Sequence, residues 1–278
     1  MNKNKVIIKP LSKWRFLDLK EMILFKDLLY FLIKRDVTVI YKQTVLGFLW
    51  AIIRPVFSMV VFSVIFGKLA KISSDGIPYP IFSYCALVPW IYFSTTLTKS
   101  SQSLIANSTI LTKVYFPRIF LPLTPIFASL VDFLISLSIV FLMMLYYSIY
   151  PSYQIAFTPI LVLLMIITST GISLWVSALA IQYRDISIIM QFLVQILMYA
   201  APVVWPVSLI TSNYGYNVKL IYSIYPMASV IEGFRSALIG TNSMPWDMIS
   251  ISFLSSIFIF ITGAFYFNKR ESQFSDVA

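Results

Sequence analysis

Histidine is absent from the 278 residues, and cysteine appears once, as Cys85. These two lacks exclude an intrachain disulfide, a Cys/His metal centre and any catalysis that depends on an imidazole. Acids are also few, with 11 Asp and Glu against 21 Lys and Arg. They are scattered singly, whereas a membrane-embedded glycosyltransferase needs a carboxylate cluster at the interface. The phosphate-loop pattern G-x-x-x-x-G-K-[ST] is missing, so the chain cannot hydrolyse ATP by that device. No ten-residue alternation of apolar and polar positions appears, which argues against a β-barrel. There is no internal repeat and no low-complexity segment.

Apolar surface is what the chain has in excess. Of its residues 59% are apolar and the mean hydropathy is +0.85. A soluble fold of this length cannot hide that much, so lipid must act as solvent for much of it. The net charge of +10 suggests nucleic acid, but the basic residues cluster at the flanks of apolar runs and leave no soluble basic face. The sequence predicts an all-α integral membrane protein with six transmembrane helices: Leu46–Leu69, Tyr79–Leu97, Ile119–Tyr147, Phe157–Ile181, Ile186–Pro206 and Met248–Phe267. Each approaches the roughly 20 residues that a bilayer core requires.

Sixteen basic residues fall on one side of this arrangement and four on the other, with Arg54 inside a span. Lys99, Lys113 and Arg118 are assigned to the connection between spans two and three, and Arg235 to the opposite side. By the positive-inside rule both termini are cytoplasmic. The N-terminus lacks the short apolar core of a cleavable signal peptide. The expected organisation is one membrane domain over 1–278. It has a cytoplasmic N-terminus with an interfacial helix over 1–45, a six-helix region over 46–267 and a cytoplasmic tail over 268–278. Between spans five and six, Tyr225–Gly240 is too short to cross and places Glu232 and Arg235 on one helical face. It reads as a short outer-face or re-entrant helix.

Several residues invite a functional reading beside a plain one. Leu24, Leu28 and Leu32, four apart, suit a helix lying among headgroups, either a passive topology anchor or a gating helix. Arg54-Pro55 predicts a kink inside the first span, with the arginine either snorkelling or touching a substrate phosphate. Asp132 lies near the middle of span three, where a structural hydrogen bond is the favoured role over a proton relay. Trp90, Tyr92, Trp175, Trp205 and Trp246 suit an interfacial aromatic belt. Some aromatics instead suit stacking on sugar rings, and the candidates for a lined pathway are Trp50, Phe57, Trp90, Tyr92 and Tyr199.

Arg35-Asp36, Tyr41-Lys42-Gln43, Leu46-Gly47, Trp50 and Pro55 come first in an ordered set of short motifs. Lys113-Val114-Tyr115-Phe116-Pro117-Arg118, Tyr183-Arg184-Asp185, Pro226 and Glu232-Gly233-Phe234-Arg235 follow. In this order and spacing the chain resembles the membrane subunits of ABC-2 type exporters of lipid-linked polysaccharides, which serve O-antigen, capsule and teichoic acid. The resemblance implies a homodimer in the cytoplasmic membrane, paired with two copies of a separate ATP-binding subunit. ATP and magnesium would then sit on that partner, and no cofactor on this chain. It implies an undecaprenyl-diphosphate-linked glycan as cargo, with O-antigen preferred. It also places the ATPase contact at Lys34, Arg35 and Asp36 and on the Asn107–Arg118 connection, including Asn107 and Lys113. Lys42, Arg54 and Arg118 become candidates for the diphosphate at the cytoplasmic rim. An ABC-2 exporter of a small lipophilic compound is the nearest alternative, and a secondary transporter a more distant one.

Overall fold

A computed structural model describes residues 19–42, 46–240, 243–271 and 274. Lys3, Lys5, Lys9, Lys13 and Arg15, which belong to the sixteen basic residues counted above, and Gln43 lie outside these residues. Among the described residues every regular element is helical.

The chain begins with α1 (Leu19–Leu24) and α2 (Lys26–Lys42). Leu32 of α2 is buried and Leu28 partly so, whereas Leu24 is exposed, so the leucine stripe meets the bundle only along its later part. Next is α3 (Trp50–Phe62), entered through a 3₁₀ turn at Gly47–Leu49 and prolonged by wider π-type turns over Ser63–Leu69. The helix continues through Pro55. Proline cannot donate to the carbonyl four residues back, and here the Ser136 hydroxyl donates to that Ala51 carbonyl at 2.9 Å instead. A neighbouring helix thus supplies the lost donor, as the membrane setting demands.

The centre is α4 (Tyr79–Ala106), nine residues longer than the expected second span. After it come α5 (Ser108–Lys113), α6 (Phe120–Tyr146) and α7 (Thr158–Gln182). Prolines at the first turns of α4 and α7 suit positions whose N–H groups have no helical acceptor. Then follows α8 (Asp185–Ala200). Its 16 residues reach about 24 Å at the usual helical rise, less than the roughly 30 Å of a bilayer core. The remainder of the expected fifth span, 201–206, leaves the helix where Pro202 and Pro206 withhold donors. Two short helices, α9 (Ser208–Tyr214) and α10 (Tyr216–Tyr222), lead to α11 (Pro226–Leu238) and then to α12 (Trp246–Glu271). Among the described residues five helical stretches are long and apolar enough to cross a membrane: Gly47–Leu69, Tyr79–Ala106, Phe120–Tyr146, Tyr153–Gln182 and Trp246–Glu271.

Contacts between remote residues define two ends of the bundle. At one, Tyr115 of the α5–α6 connection donates to Glu21 of α1 at 2.7 Å, Ser187 of α8 reaches the Ser101 carbonyl of α4, and Arg118 meets Glu271. The hydrogen bond to the Glu21 carboxylate raises the Tyr115 phenol above its ordinary pKa. At the other end, Ser208 reaches Asp75 and Lys219 pairs with Asp247 at 2.8 Å. Inside lies α11, buried along its whole length. Arg235, counted above as an outer-side charge, is only 1% exposed. Its guanidinium donates to the carbonyls of Val203 at 2.9 Å and of Phe82 and Trp205 at 3.4 Å, and pairs with Glu232 at 3.4 Å. Gly240, at φ 70°, ends this helix where a side chain would be strained.

Helices α7 and α12 pack extensively along their lengths. Thr168 and Ser256 share a hydrogen bond at 2.8 Å, and Trp175 stacks on Tyr266 at 4.3 Å between ring centres. Gly171 and Gly263 bring the two backbones together, in the small-residue manner of membrane helices. A Cβ on Gly263 would run into the Gly171 carbonyl oxygen. Gly263→Val therefore forces the helices apart and destabilises the protein by about 3 kcal/mol. Thermal unfolding followed by fluorescence-detected size exclusion checks this, and an unchanged midpoint refutes it.

Candidate functional site

Polar residues recur on one face of each helix around a cavity of about 450 Å³. On α6, Ser129, Asp132 and Ser136 follow helical spacing, and on α4, Thr95 and Lys99 lie one turn apart. From α2 comes Tyr41; from the start of α3 come Trp50 and Arg54. The Tyr41 hydroxyl donates to the Asp132 carboxylate across 91 residues of sequence, which ties α2 to α6. Burial, and then the Asp132 carboxylate, raise the Tyr41 phenol above its ordinary pKa. The hydroxyl therefore keeps the proton that it donates. The Arg54 guanidinium lies over the Trp50 ring at 5.7 Å, within cation–π range.

Lys99, assigned above to a connection, sits instead within α4 and lines this cavity. The connection starts later because α4 continues to Ala106. Asp132, Asp36 and Arg54 are its charged neighbours. With Arg54 and Lys99 against Asp132, the cavity carries a net positive charge. Such a chamber suits an anionic group of moderate size.

Lys99 and Val39 also line a second cavity, of about 440 Å³, with Arg35, Asp36 and Asn107. There Arg35 bonds Asp36 at 2.9 and 3.0 Å and Asn107 at 3.3 Å. The structure thus brings together three of the five residues proposed for the ATPase contact. Lys34 and Lys113 are exposed nearby in sequence.

The rim candidates separate. Arg54 lines the first cavity, Lys42 does not, and Arg118 lies at the end of α12, donating to the Glu271 carbonyl. The aromatics divide too. Trp50 and Tyr92 line the cavity, the latter donating to the Ile126 carbonyl at 3.1 Å. Trp90 is buried against Phe93, while Phe57 and Tyr199 face outward. Tyr41 and Lys99 are the site residues that sequence reasoning passed over in this role. The signal for Lys99 was available in its spacing from Thr95 and Ser103 along one helical face.

Tyr41→Phe removes the donor to Asp132 and nothing else. Loss of such a hydrogen bond to a charged acceptor speeds amide exchange over residues 26–42 by about tenfold. Hydrogen exchange with mass spectrometry reads this directly, and unchanged protection puts the tether elsewhere.

The family model described as ABC-2 type transporter matches residues 27–239. An O-antigen export system permease protein of Klebsiella pneumoniae is 28% identical over 252 residues, covering 90% of this chain and 95% of the relative. One from Myxococcus xanthus is 25% identical over 255 residues, covering 91% and 96%. A polysialic acid transport protein of Escherichia coli is 24% identical over 248 residues, covering 86% and 92%. The matched region takes in both cavities, the buried α11 and every connection between them; the chain belongs to the ABC-2 type transporter family.

Proposed function

We propose that this chain is the permease subunit of an ATP-driven exporter that moves a lipid-linked polysaccharide, O-antigen by preference, across the cytoplasmic membrane. The observation that carries the reading is the end-to-end match to export permeases, 90% of this chain against 95% of an O-antigen permease. Geometry adds a chemical reason. The cavity of Arg54, Lys99, Tyr41 and Trp50 sits beside the interfacial helix, where a lipid diphosphate would enter from the cytoplasmic leaflet. Guanidinium and ammonium together suit its oxygens, while Asp132 keeps the net attraction modest so that the group can leave.

In this reading both termini are cytoplasmic and the membrane is the inner one. Six crossings result when α8 serves as the fifth with local thinning of the bilayer, and α11 enters and leaves on the outer side. Arg35, Asp36 and Asn107, with Lys34 and Lys113 exposed around them, receive a separate ATP-binding subunit that holds ATP and magnesium. Two permeases and two such subunits form the complex. Aromatic side chains between the permeases offer repeated weak contacts that let a long glycan slide. The polymer itself is an undecaprenyl-diphosphate-linked chain.

Deletion of the gene should trap lipid-linked glycan on the cytoplasmic side, and the intact gene should return it to the surface. Normal surface glycan in a strain with no second exporter would sink the cargo assignment. Arg54→Ala, expressed at wild-type level, is expected to lower surface glycan by about tenfold or more, the worth of one charge-assisted contact. Exchanging Arg35 and Asp36 for alanine together should leave ATP hydrolysis running without export. Normal coupling in that variant would move the partner contact to another surface.

A further inference from the structure

At the end of the bundle away from α1, a cavity of about 580 Å³ opens between α9, α10, α11 and the start of α12. It shares no lining residue with the Arg54–Asp132 chamber. Its floor is α11, where Glu232 and Ser236 stand one helical turn apart. Ser208, Thr211 and Ser212 of α9 add hydroxyls, and Met244, Pro245 and Met248 add an apolar strip.

The charges here already have partners. Lys219 pairs with Asp247 at 2.8 Å, and Glu232 with Arg235 at 3.4 Å. A phosphate would find no uncommitted cation, and a metal ion would have to draw each carboxylate away from its partner. One polar group stands out instead. The Ser236 hydroxyl is fully buried and has no hydrogen-bond partner, a condition that costs free energy unless a ligand supplies one.

We infer that this cavity is a saccharide-binding site that takes one or two units of a neutral or weakly charged glycan. Its size falls within the roughly 300–1,000 Å³ of small-ligand pockets. Ser236 has a proton to donate, and Ser208 and Ser212, whose own protons go to Asp75 and the Leu209 carbonyl, present oxygens that accept from sugar hydroxyls, while paired carboxylate and cation groups bracket neighbouring hydroxyls. The proline and methionine strip packs on the C–H face of the ring. The site's place in transport rests on the export reading: the cavity lies at the end opposite the lipid-phosphate chamber, where an emerging glycan would meet it. The binding chemistry itself does not depend on that reading.

Saturation-transfer NMR on the purified full-length protein in lipid nanodiscs tests the site. The probes are N-acetyl-D-glucosamine, D-mannose, D-galactose and L-rhamnose, with glycerol as a small polyol and inorganic phosphate as competitor. At least one sugar should show transfer that glycerol lacks and phosphate does not displace. Ser236→Met, which fills the floor, should abolish it. Ser236→Ala, which removes only the hydroxyl and keeps the fold, should weaken binding by about tenfold, the worth of one such hydrogen bond. No transfer from any of the sugars, equal transfer in wild type and Ser236→Ala, or displacement by phosphate would each overturn the assignment. The deletion strain separates the two proposals. Glycan trapped inside its cells, with no sugar bound by the protein, removes the site and leaves export standing; bound sugar with normal surface glycan does the reverse.

Discussion

The Arg235 guanidinium solves a problem that the bundle creates for itself. The chain leaves helix after Ala200, so the carbonyls that follow have no helical partners, and hydrocarbon offers none. Side chains from other elements satisfy them. Arg235 takes Val203 and Trp205, Tyr79 takes Val204 at 2.7 Å, and Tyr222 takes Ala200 at 2.6 Å. A guanidinium has five donors in a fixed fork, so one residue can also reach the Phe82 carbonyl and the Glu232 carboxylate. The Phe82 ring lies 3.7 Å beneath it. Removing one member of a buried pair strands the other, which makes α11, α4 and the 201–206 segment a single unit. The floor of the saccharide cavity belongs to the same helix, where Glu232 both lines the cavity and pairs with Arg235.

At the opposite end α6 has two duties. Its polar stripe offers Ser136 to the carbonyl orphaned by Pro55 and Asp132 to the hydroxyl of Tyr41. The first keeps α3 continuous, and the second holds α2 against the bundle. Arg54 lies one residue before that proline, so its position over Trp50 depends on a hydroxyl from another helix. Movement of α2 would alter the cavity wall through Tyr41 and the second cavity through Arg35 and Asp36. Lys99, lining both, is where those changes meet. A displacement of α2 has a short physical route to the cavity of Arg54 and Lys99.

Sequence pattern was enough for the helical class and most element bounds, because a bilayer requires long apolar runs and those can be read without tertiary contacts. Leu46–Leu69 against Gly47–Leu69 and Ile119–Tyr147 against Phe120–Tyr146 differ by one residue at most at each end. Boundaries failed where polar residues continue a helix. The second span was closed at Leu97, yet Lys99, Ser100 and Ser103 remain in α4 because they face cavities or neighbouring helices rather than lipid. The hydroxyl that compensates for Pro55 was not legible for a related reason, since it lies 85 residues away from the carbonyl it serves.

By itself the sequence determined that the protein is a helical membrane chain without its own ATP loop or histidine chemistry, and which short motifs mark its relatives. Those properties are local: they follow from composition, run length and residue order. Only the tertiary structure decided that Arg235 is buried rather than exposed, that Arg54 and Lys99 share a cavity while Lys42 and Arg118 do not, and that Ser236 is left without a partner. Each is settled by which helices touch, and hydrogen bonds between residues 30 to 153 positions apart leave no local trace in the chain.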